Sequence, residues 1–92
     1  MKVGLKPCKS TQISASAEIS AGPGALAGIF VSSCSGSPTI KVWDNSAASG
    51  TVLVDTFTPV AATFYKYPDG AFNTGCYVTL GGTVSCTVFT RN

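Results

Sequence analysis

The sequence contains no histidine and very little charge. Six basic and four acidic side chains make up 11 % of the 92 residues, against about 25 % in an average soluble domain. Without histidine, the usual base of a nucleophile–base pair is missing. A net charge of +2 is also low for a nucleic-acid binder, which usually carries a clustered basic face. The composition therefore argues against most enzyme classes and against a nucleic-acid partner.

Long hydrophobic runs are absent as well. No run of about 18 apolar residues, the length of a membrane-spanning helix, occurs in the chain. Met1–Lys9 is basic, but the apolar stretch of a secretory signal does not follow it. We therefore expect no membrane association. We also expect synthesis in the cytoplasm, with any exit by a route that needs no signal.

Carboxylates are few: Glu18, Asp44, Asp55 and Asp69. Asp44 and Asp69 lie in turn-like contexts, where an aspartate caps its own backbone. Glu18 and Asp55 remain open to a glycosidase-type pair, although nothing else in the sequence indicates one. Phosphate-binding loops, dinucleotide fingerprints and calcium loops are missing. We expect a protein that is not an enzyme and that binds neither a metal nor another cofactor.

Serine and threonine, eleven of each, accompany short apolar runs separated by Gly, Pro, Asn, Asp and Ser. This pattern predicts an all-β protein, a small antiparallel β-sandwich or barrel of jelly-roll or immunoglobulin type with about six to eight strands. We expect a basic arm over residues 1–10 and a single β-sandwich domain over residues 11–92. The candidate strands are Gln12–Ser20, Ala25–Ser33, Thr39–Asp44, Thr51–Phe57, Thr63–Tyr67, Gly75–Leu80 and Val84–Thr90.

Two candidate strands have distinctive faces. Gln12–Ser20 alternates small apolar with polar side chains, which predicts a half-buried strand. Ile29-Phe30-Val31 is apolar on both faces. It is therefore expected either at the centre of a sandwich or between the core and a partner.

Gly81-Gly82 predicts a hairpin between the last two candidate strands. A two-residue loop in a primed turn would pair Tyr77 with Cys86. A three-residue loop would instead pair Cys76 with Cys86 and match the apolar faces. Turn chemistry favours the two-residue loop slightly, and the choice decides whether a Cys76–Cys86 bridge can form.

The cysteines Cys8, Cys34, Cys76 and Cys86 lack the close pairs and histidines of a zinc site. They are candidates for disulfides, with three intramolecular connectivities open, or for free buried thiols. Cys8 differs, because Lys6 and Lys9 flank it and favour a reactive thiolate. Such a thiol on an arm could bridge two subunits.

Lys2, Lys6 and Lys9 make the first nine residues basic, and no acidic residue occurs before Glu18. The interpretation favoured on general grounds is a solvated terminus. The functional interpretation is an arm that docks on the acidic surface of a partner.

Aromatic side chains are a further set of candidate functional residues, and Trp43, Tyr65 and Tyr67 are the candidates for an interface. They belong to a wider set that could stack on sugars or bases. Core packing or a protein interface is the commoner use of such residues. The full set is Trp43, Phe64, Tyr65, Tyr67, Phe72 and Tyr77.

The stretch from Thr39 onward carries a resemblance. It contains Thr39-Ile40-Lys41-Val42-Trp43-Asp44-Asn45, then Gly50–Pro59, then an aromatic strand ending in Tyr67-Pro68, then Gly75–Thr83. This order is similar to small β-rich virion proteins of tailed bacteriophages, of the capsid decoration or cement type. The four cysteines do not belong to that pattern.

The resemblance implies a structural protein that binds the major capsid protein where capsomers meet and stabilises the head. It implies a homotrimer on the capsid surface, made in the host cytoplasm, without a nucleic-acid or membrane partner. Low surface charge and two-sided apolar strands agree with burial in an assembly. The alternatives are a carbohydrate-binding or adhesin-like β-sandwich, with Trp43, Tyr65 or Tyr67 exposed, and a tail or neck component of the same virion.

Overall fold

The structure, a computed structural model, describes residues 8–91 and consists of antiparallel β-strands joined by short connections. Among these residues there is no helix, so the predicted all-β class is confirmed. The six strands are β1 (Lys9–Ile13), β2 (Ala17–Ala21), β3 (Gly24–Asp44), β4 (Thr51–Phe57), β5 (Thr63–Phe72) and β6 (Gly75–Arg91).

Two long strands, β3 and β6, form the spine of the fold. They pair antiparallel from Ala25↔Arg91 to Trp43↔Tyr77. At one end of the spine β1 and β5 flank them, giving a first sheet in the order β1-β6-β3-β5. At the other end β2 and β4 flank them, giving a second sheet in the order β2-β6-β3-β4.

The spine bends at its middle. A straight strand of 21 residues would be about 69 Å long, yet the longest dimension of the molecule is 44 Å. Between the pairs Ser35↔Thr83 and Thr39↔Gly81, residues 36–38 of β3 face Gly82 alone. Such a bulge bends a strand pair. The two sheets therefore fold toward each other as the layers of a small sandwich.

Residues with positive φ make this bulge. Gly36 (φ 67°) and Ser37 (φ 57°) lie on β3 and Gly82 (φ 68°) on β6. The chain between β1 and β2 changes sheet at the same level, where the Leu80 amide donates to Ser16 Oγ at 2.9 Å. The bend thus spans the width of the sheet.

The core lies between the two sheets and forms one continuous cluster. It combines Leu26, Ile29, Val31 and Val88 of the first sheet with Ile40, Val42 and Val78 of the second, all without solvent exposure. On β6 the even-numbered residues from Cys76 to Val88 face inward, apart from Gly82 at the bend. The remaining members of the core are Ile13, Phe72, Cys76, Val84 and Cys86.

The predicted hairpin at Gly81-Gly82 is wrong, because β6 continues through both glycines. For the same reason Gly75–Leu80 and Val84–Thr90 are one strand. The candidate strands Ala25–Ser33 and Thr39–Asp44 are likewise one strand, because residues 34–38 lie within β3. A left-handed glycine suits a bulge as well as a turn, so local chemistry alone did not distinguish the two.

Gln12–Ser20 is also not a single strand. It is broken at residues 14–16, and a register shift between Glu18 and Ser20 buries Ser20. Ile13 is buried and Ala17 and Ile19 pack against the core, so the odd-numbered side chains stay inward on both sides of the break. The expected arm over residues 1–10 overlaps β1, since Lys9 and Ser10 already pair with β6.

We predict that Gly82→Ala destabilises the protein far more than Gly36→Ala. Both glycines have left-handed φ values, which cost an alanine about 1 kcal/mol. A Cβ at Gly82 would also lie 2.5 Å from the Gly36 carbonyl oxygen, whereas one at Gly36 meets nothing within 4 Å. We expect a loss of about 3 kcal/mol or more for Gly82→Ala. Urea unfolding of both variants measures this, and equal losses would contradict the role of Gly82 in the bend.

Candidate functional site

The two carboxylates open to glycosidase chemistry lie far apart. Glu18 is on β2 and Asp55 on β4, at opposite edges of the second sheet. Three inter-strand spacings separate these strands, or about 14 Å. A glycosidase pair needs about 5–9.5 Å, so these residues do not form one.

Asp44 holds the β5–β6 turn at the end of the sandwich opposite the bend. Its Oδ1 accepts hydrogen bonds from the amides of Asn73 and Thr74, both at 2.9 Å, and of Gly75 at 3.5 Å. The expectation that Asp44 caps its own turn is therefore wrong, since these amides lie about thirty residues further along. Their hydrogen bonds, with Thr74 contributing most and Asn73 next, hold the pKa of the carboxyl below its usual value.

The cysteines form no disulfide within the chain, because no two lie at bonding distance. Cys76 and Cys86 are ten residues apart on β6, so the hairpin that would have joined them does not exist. Burial raises the pKa of Cys76 to about 12 and that of Cys86 to about 11. Cys34 is half-buried, with Sγ 3.5 Å from the Pro59 carbonyl oxygen, and Cys8 is exposed.

The structure separates the three predicted interface aromatics. Trp43 lies on the outer face of the second sheet, where its indole N–H donates to Thr79 Oγ1 at 3.0 Å. Lys41 Nζ covers its ring, 4.4 Å from the centroid. The indole N–H and one face of the Trp43 ring are therefore already in contact with other residues of the chain.

The two tyrosines belong to the first sheet and pack against the core from β5. The Tyr65 ring contacts Phe57 at a centroid distance of 5.0 Å, and its hydroxyl accepts a hydrogen bond from the Val60 amide at 2.8 Å. Burial raises the pKa of Tyr67. Trp43, Tyr65 and Tyr67 do not share a face.

A different set of aromatics shares one surface, the outer face of the first sheet. Phe30 points outward between the buried Ile29 and Val31 and is 37 % exposed. Its partner on β5 is Phe64, which is 49 % exposed. Phe64 meets Phe89 of β6 edge-on, with centroids 5.9 Å apart. We call Phe30, Phe64 and Phe89 the aromatic face.

Next to these rings runs an open groove of about 520 Å³. Its floor is β3 at Ala27. Phe64 and Lys66 of β5 form one wall, and Phe89 and Arg91 of β6 form the other. Tyr67 and Cys8 complete the lining. We call this the aromatic groove.

Gly28 explains part of this arrangement. A Cβ at this position would lie 2.5 Å from Cζ of Phe64, so the phenylalanine ring lies directly over the glycine. Covering a strand glycine with an aromatic ring is a known stabilising device. It accounts for the position of Phe64, although it leaves half of the side chain exposed.

Of the three lysines expected in the basic arm, the structure describes Lys9. Lys2 and Lys6 of the expected arm lie outside the described residues. Lys9 is exposed on β1, opposite Thr90. Among the side chains that the structure describes, no three Cys, Asp or Glu residues cluster in a way that could hold a metal ion. None of the described segments is a helix suited to crossing a membrane.

Sequence reasoning missed the aromatic face because its members come from three different strands. The sequence shows Phe30 within a strand that is apolar on both faces, and Phe64 as one of six candidate aromatic residues. The period-2 pattern of Val84–Thr90 places Phe89 opposite the inward valines, but the sequence does not show that β5 brings Phe64 beside it.

Comparison with known proteins found no matching family model, no similar curated protein and no similar solved structure.

We predict that removing the Asp44 carboxylate weakens the fold in a pH-dependent way. Asp44→Ala should cost about 1–2 kcal/mol at pH 7, since water screens this partly exposed group. The folded pKa is depressed, so the stabilisation is full above the unfolded value of 3.8 and disappears as pH falls through the folded pKa. Urea unfolding at pH 7 and pH 2.5 tests this.

In this experiment Asp44→Asn is the control, because it keeps an acceptor oxygen and removes the charge. The difference between wild type and Asp44→Ala should shrink at pH 2.5. A constant difference across the pH range would show that the charge of Asp44 contributes nothing.

We predict that iodoacetamide at pH 8 modifies Cys8 first and Cys34 more slowly, and leaves Cys76 and Cys86 unmodified. The buried thiols are protected by exclusion of the reagent and by their raised pKa values. Mass spectrometry of peptides locates the label, and the same reaction in guanidinium chloride should label all four. Modification of Cys76 or Cys86 in the folded protein would contradict the described core.

Proposed function

We propose that the chain is a non-catalytic structural protein that attaches to the surface of a larger protein assembly. In the form suggested by its resemblance, it is a decoration protein that binds the major capsid protein of a tailed bacteriophage at capsomer junctions and stabilises the head. The observation that carries this proposal is the exposed aromatic face. Contiguous exposed apolar patches on small soluble proteins mark interaction surfaces.

The rigidity of the scaffold supports this role. Phe30 and Phe89 stand on the two spine strands, whose inward neighbours Ile29, Val31 and Val88 are fully buried. Their positions are therefore fixed before any partner arrives. Prearranged anchors lose little conformational freedom on binding.

In a symmetric oligomer, several copies of one small contact area would bind the capsid together. We propose a homotrimer on the capsid, so that several copies of one contact act together. Each chain is small, with 4861 Å² of accessible surface, and a standard interface takes about 800 Å² from each partner. Repeated attachment would thus engage a substantial part of its surface.

The carbohydrate-binding alternative receives less support from the geometry. It requires Trp43, Tyr65 or Tyr67 to offer a free ring to a sugar. Lys41 covers the ring of Trp43, and Tyr65 packs between Phe57 and the core. Tyr67 lines the groove but packs partly against the core. The tail or neck alternative uses the same kind of surface and differs only in where the protein lies on the particle.

The proposal predicts that the protein is a stoichiometric component of phage heads. Particles should be purified from a strain that carries the gene, then analysed by quantitative mass spectrometry and by immunogold electron microscopy. We expect many copies per particle and label on the head. Label on the tail would support the tail or neck component instead, and absence from intact particles would overturn both.

Light scattering of the isolated protein, with and without reductant, tests the trimer separately. A mass of three chains under both conditions is expected if non-covalent contacts hold the trimer together. A trimer lost on reduction would assign the contact to an intermolecular disulfide. A monomer under both conditions would contradict a trimer that forms free in solution.

A further inference from the structure

We propose that copies of this chain associate with one another through the loop between β4 and β5, residues 58–62. This inference deepens the proposed function, on which it rests, by naming the contact that holds the homotrimer together. Three observations support it: an exposed apolar run in the loop, hydrogen bonds that fix the shape of the loop, and the absence of charge around it.

The loop exposes three consecutive apolar residues, Val60, Ala61 and Ala62. Val60 is 61 % exposed, the highest value among the exposed large hydrophobic side chains that the structure describes. A run of three exposed apolar residues on a soluble protein indicates a functional surface. Packing against another protein surface would remove this run from water.

Hydrogen bonds on both sides of Val60 fix the shape of the loop. The Val60 amide donates to the Tyr65 hydroxyl at 2.8 Å, and the Thr63 hydroxyl donates to a carbonyl within the loop at 3.2 Å. Pro59 is buried, and its carbonyl oxygen lies 3.5 Å from Cys34 Sγ. A loop fixed in this way loses little conformational freedom when it packs against another surface.

The loop lies at the bend of the sandwich. It leaves the second sheet at Phe57, which pairs with Ile40, and enters the first sheet at Thr63, which pairs with Val31. These pairs flank the bulge of β3 on its two sides. The loop and the bend therefore form one end of the molecule.

This end is distinct from the aromatic face. Phe64 follows the loop closely in the chain, but its ring extends over Gly28, which lies further from the bend. The loop and the aromatic face can therefore make two different contacts, one with another copy of the chain and one with the capsid.

The chain around the loop carries no charge. Residues 32–39, 56–64 and 80–87, which form the bend and its surroundings, contain no Asp, Glu, Lys or Arg. Close to the axis of a symmetric oligomer, equivalent residues of different copies meet. A charge there would face a charge of the same sign, which is costly. The outer faces of the sheets differ from the bend, since Lys66 is exposed on the first and Glu18 on the second.

The lack of charge also disfavours a lipid bilayer or a nucleic acid as the occupant. Both are rich in phosphate, and proteins bind them with clustered lysine and arginine side chains. The charged residues closest to Val60 in the chain are Asp55 and Lys66, which have opposite signs. Ser35 and Thr58 are exposed next to the loop, and uncharged polar residues of this kind suit the rim of a protein interface.

Sedimentation velocity of the full chain, with and without reductant, tests the proposal over a range of concentrations. We expect wild type to form an oligomer of three chains. Val60→Asp should weaken association at least tenfold, because it brings carboxylates of different copies together. Val60→Asn, of similar shape but uncharged, should weaken it less. Val52→Asp is the matched control on the outer face of the second sheet, where Val52 is 40 % exposed, and should leave association unchanged.

Salt dependence separates a contact between equivalent residues from the simple loss of an apolar contact. Salt screens the repulsion between like charges. Association of Val60→Asp should therefore strengthen as ionic strength rises from low to physiological values, whereas that of Val60→Asn should change much less. Circular dichroism and thermal unfolding verify that each variant folds.

Several outcomes would overturn the proposal. These are a wild-type chain that is monomeric at every concentration, an oligomer that Val60→Asp leaves intact, and equal weakening by Val52→Asp. An oligomer lost on reduction would assign the contact to cysteines. Binding of wild type, but not of Val60→Asp, to vesicles of phosphatidylcholine and phosphatidylglycerol would assign the loop to a membrane.

Attachment of the same variants to phage heads separates this inference from the proposed function. An oligomer that forms through the loop in a chain absent from heads would keep the contact and remove the decoration role. A Val60→Asp variant that stays oligomeric but no longer attaches to heads would assign the loop to the capsid and overturn the inference. Loss of attachment in Phe30→Thr, with the oligomer intact, would support two separate contacts.

Discussion

The bulge at the centre of the β3–β6 pair is the constraint on which the rest of the structure depends. Three residues of β3 face Gly82 there, and left-handed backbone at Gly36, Ser37 and Gly82 makes that possible. Without the bend, the inward side chains of the two long strands would face water. With it, both halves of one ribbon bury their apolar residues against each other. A 92-residue chain thereby gains a two-layer core from a single pair of long strands.

The opposite end of the sandwich is closed by polar contacts instead of a bend. Asp44, at the end of β3, holds the amides of the turn between β5 and β6. The Gly22 amide donates to the Thr74 carbonyl in the same region at 3.0 Å. A backbone bend at one end and a carboxylate at the other thus keep the sheets together, so one of the few acids serves the fold.

The two outer faces of this sandwich are chemically different. On the second sheet, Trp43 is held by Thr79 and covered by Lys41, and Val52 beside it is exposed. On the first sheet, Phe30 and Phe64 remain exposed beside the aromatic groove. We therefore propose the outer face of the first sheet as the attachment surface.

The sequence by itself determined the all-β class and the period-2 alternation within Gly75–Leu80 and within Val84–Thr90, because strand periodicity is a local property. It left open which side of its strand Phe30 takes. It did not determine how Gly81-Gly82 and the segment around Gly36 would be used, since a left-handed glycine serves a turn or a bulge equally well. Only the tertiary structure decided that these segments face each other, that Asp44 reaches Asn73 and Thr74, and that Phe64 meets Phe89. Each of those contacts joins residues distant in the chain, and their proximity depends on the strand register that packing of the whole core selects.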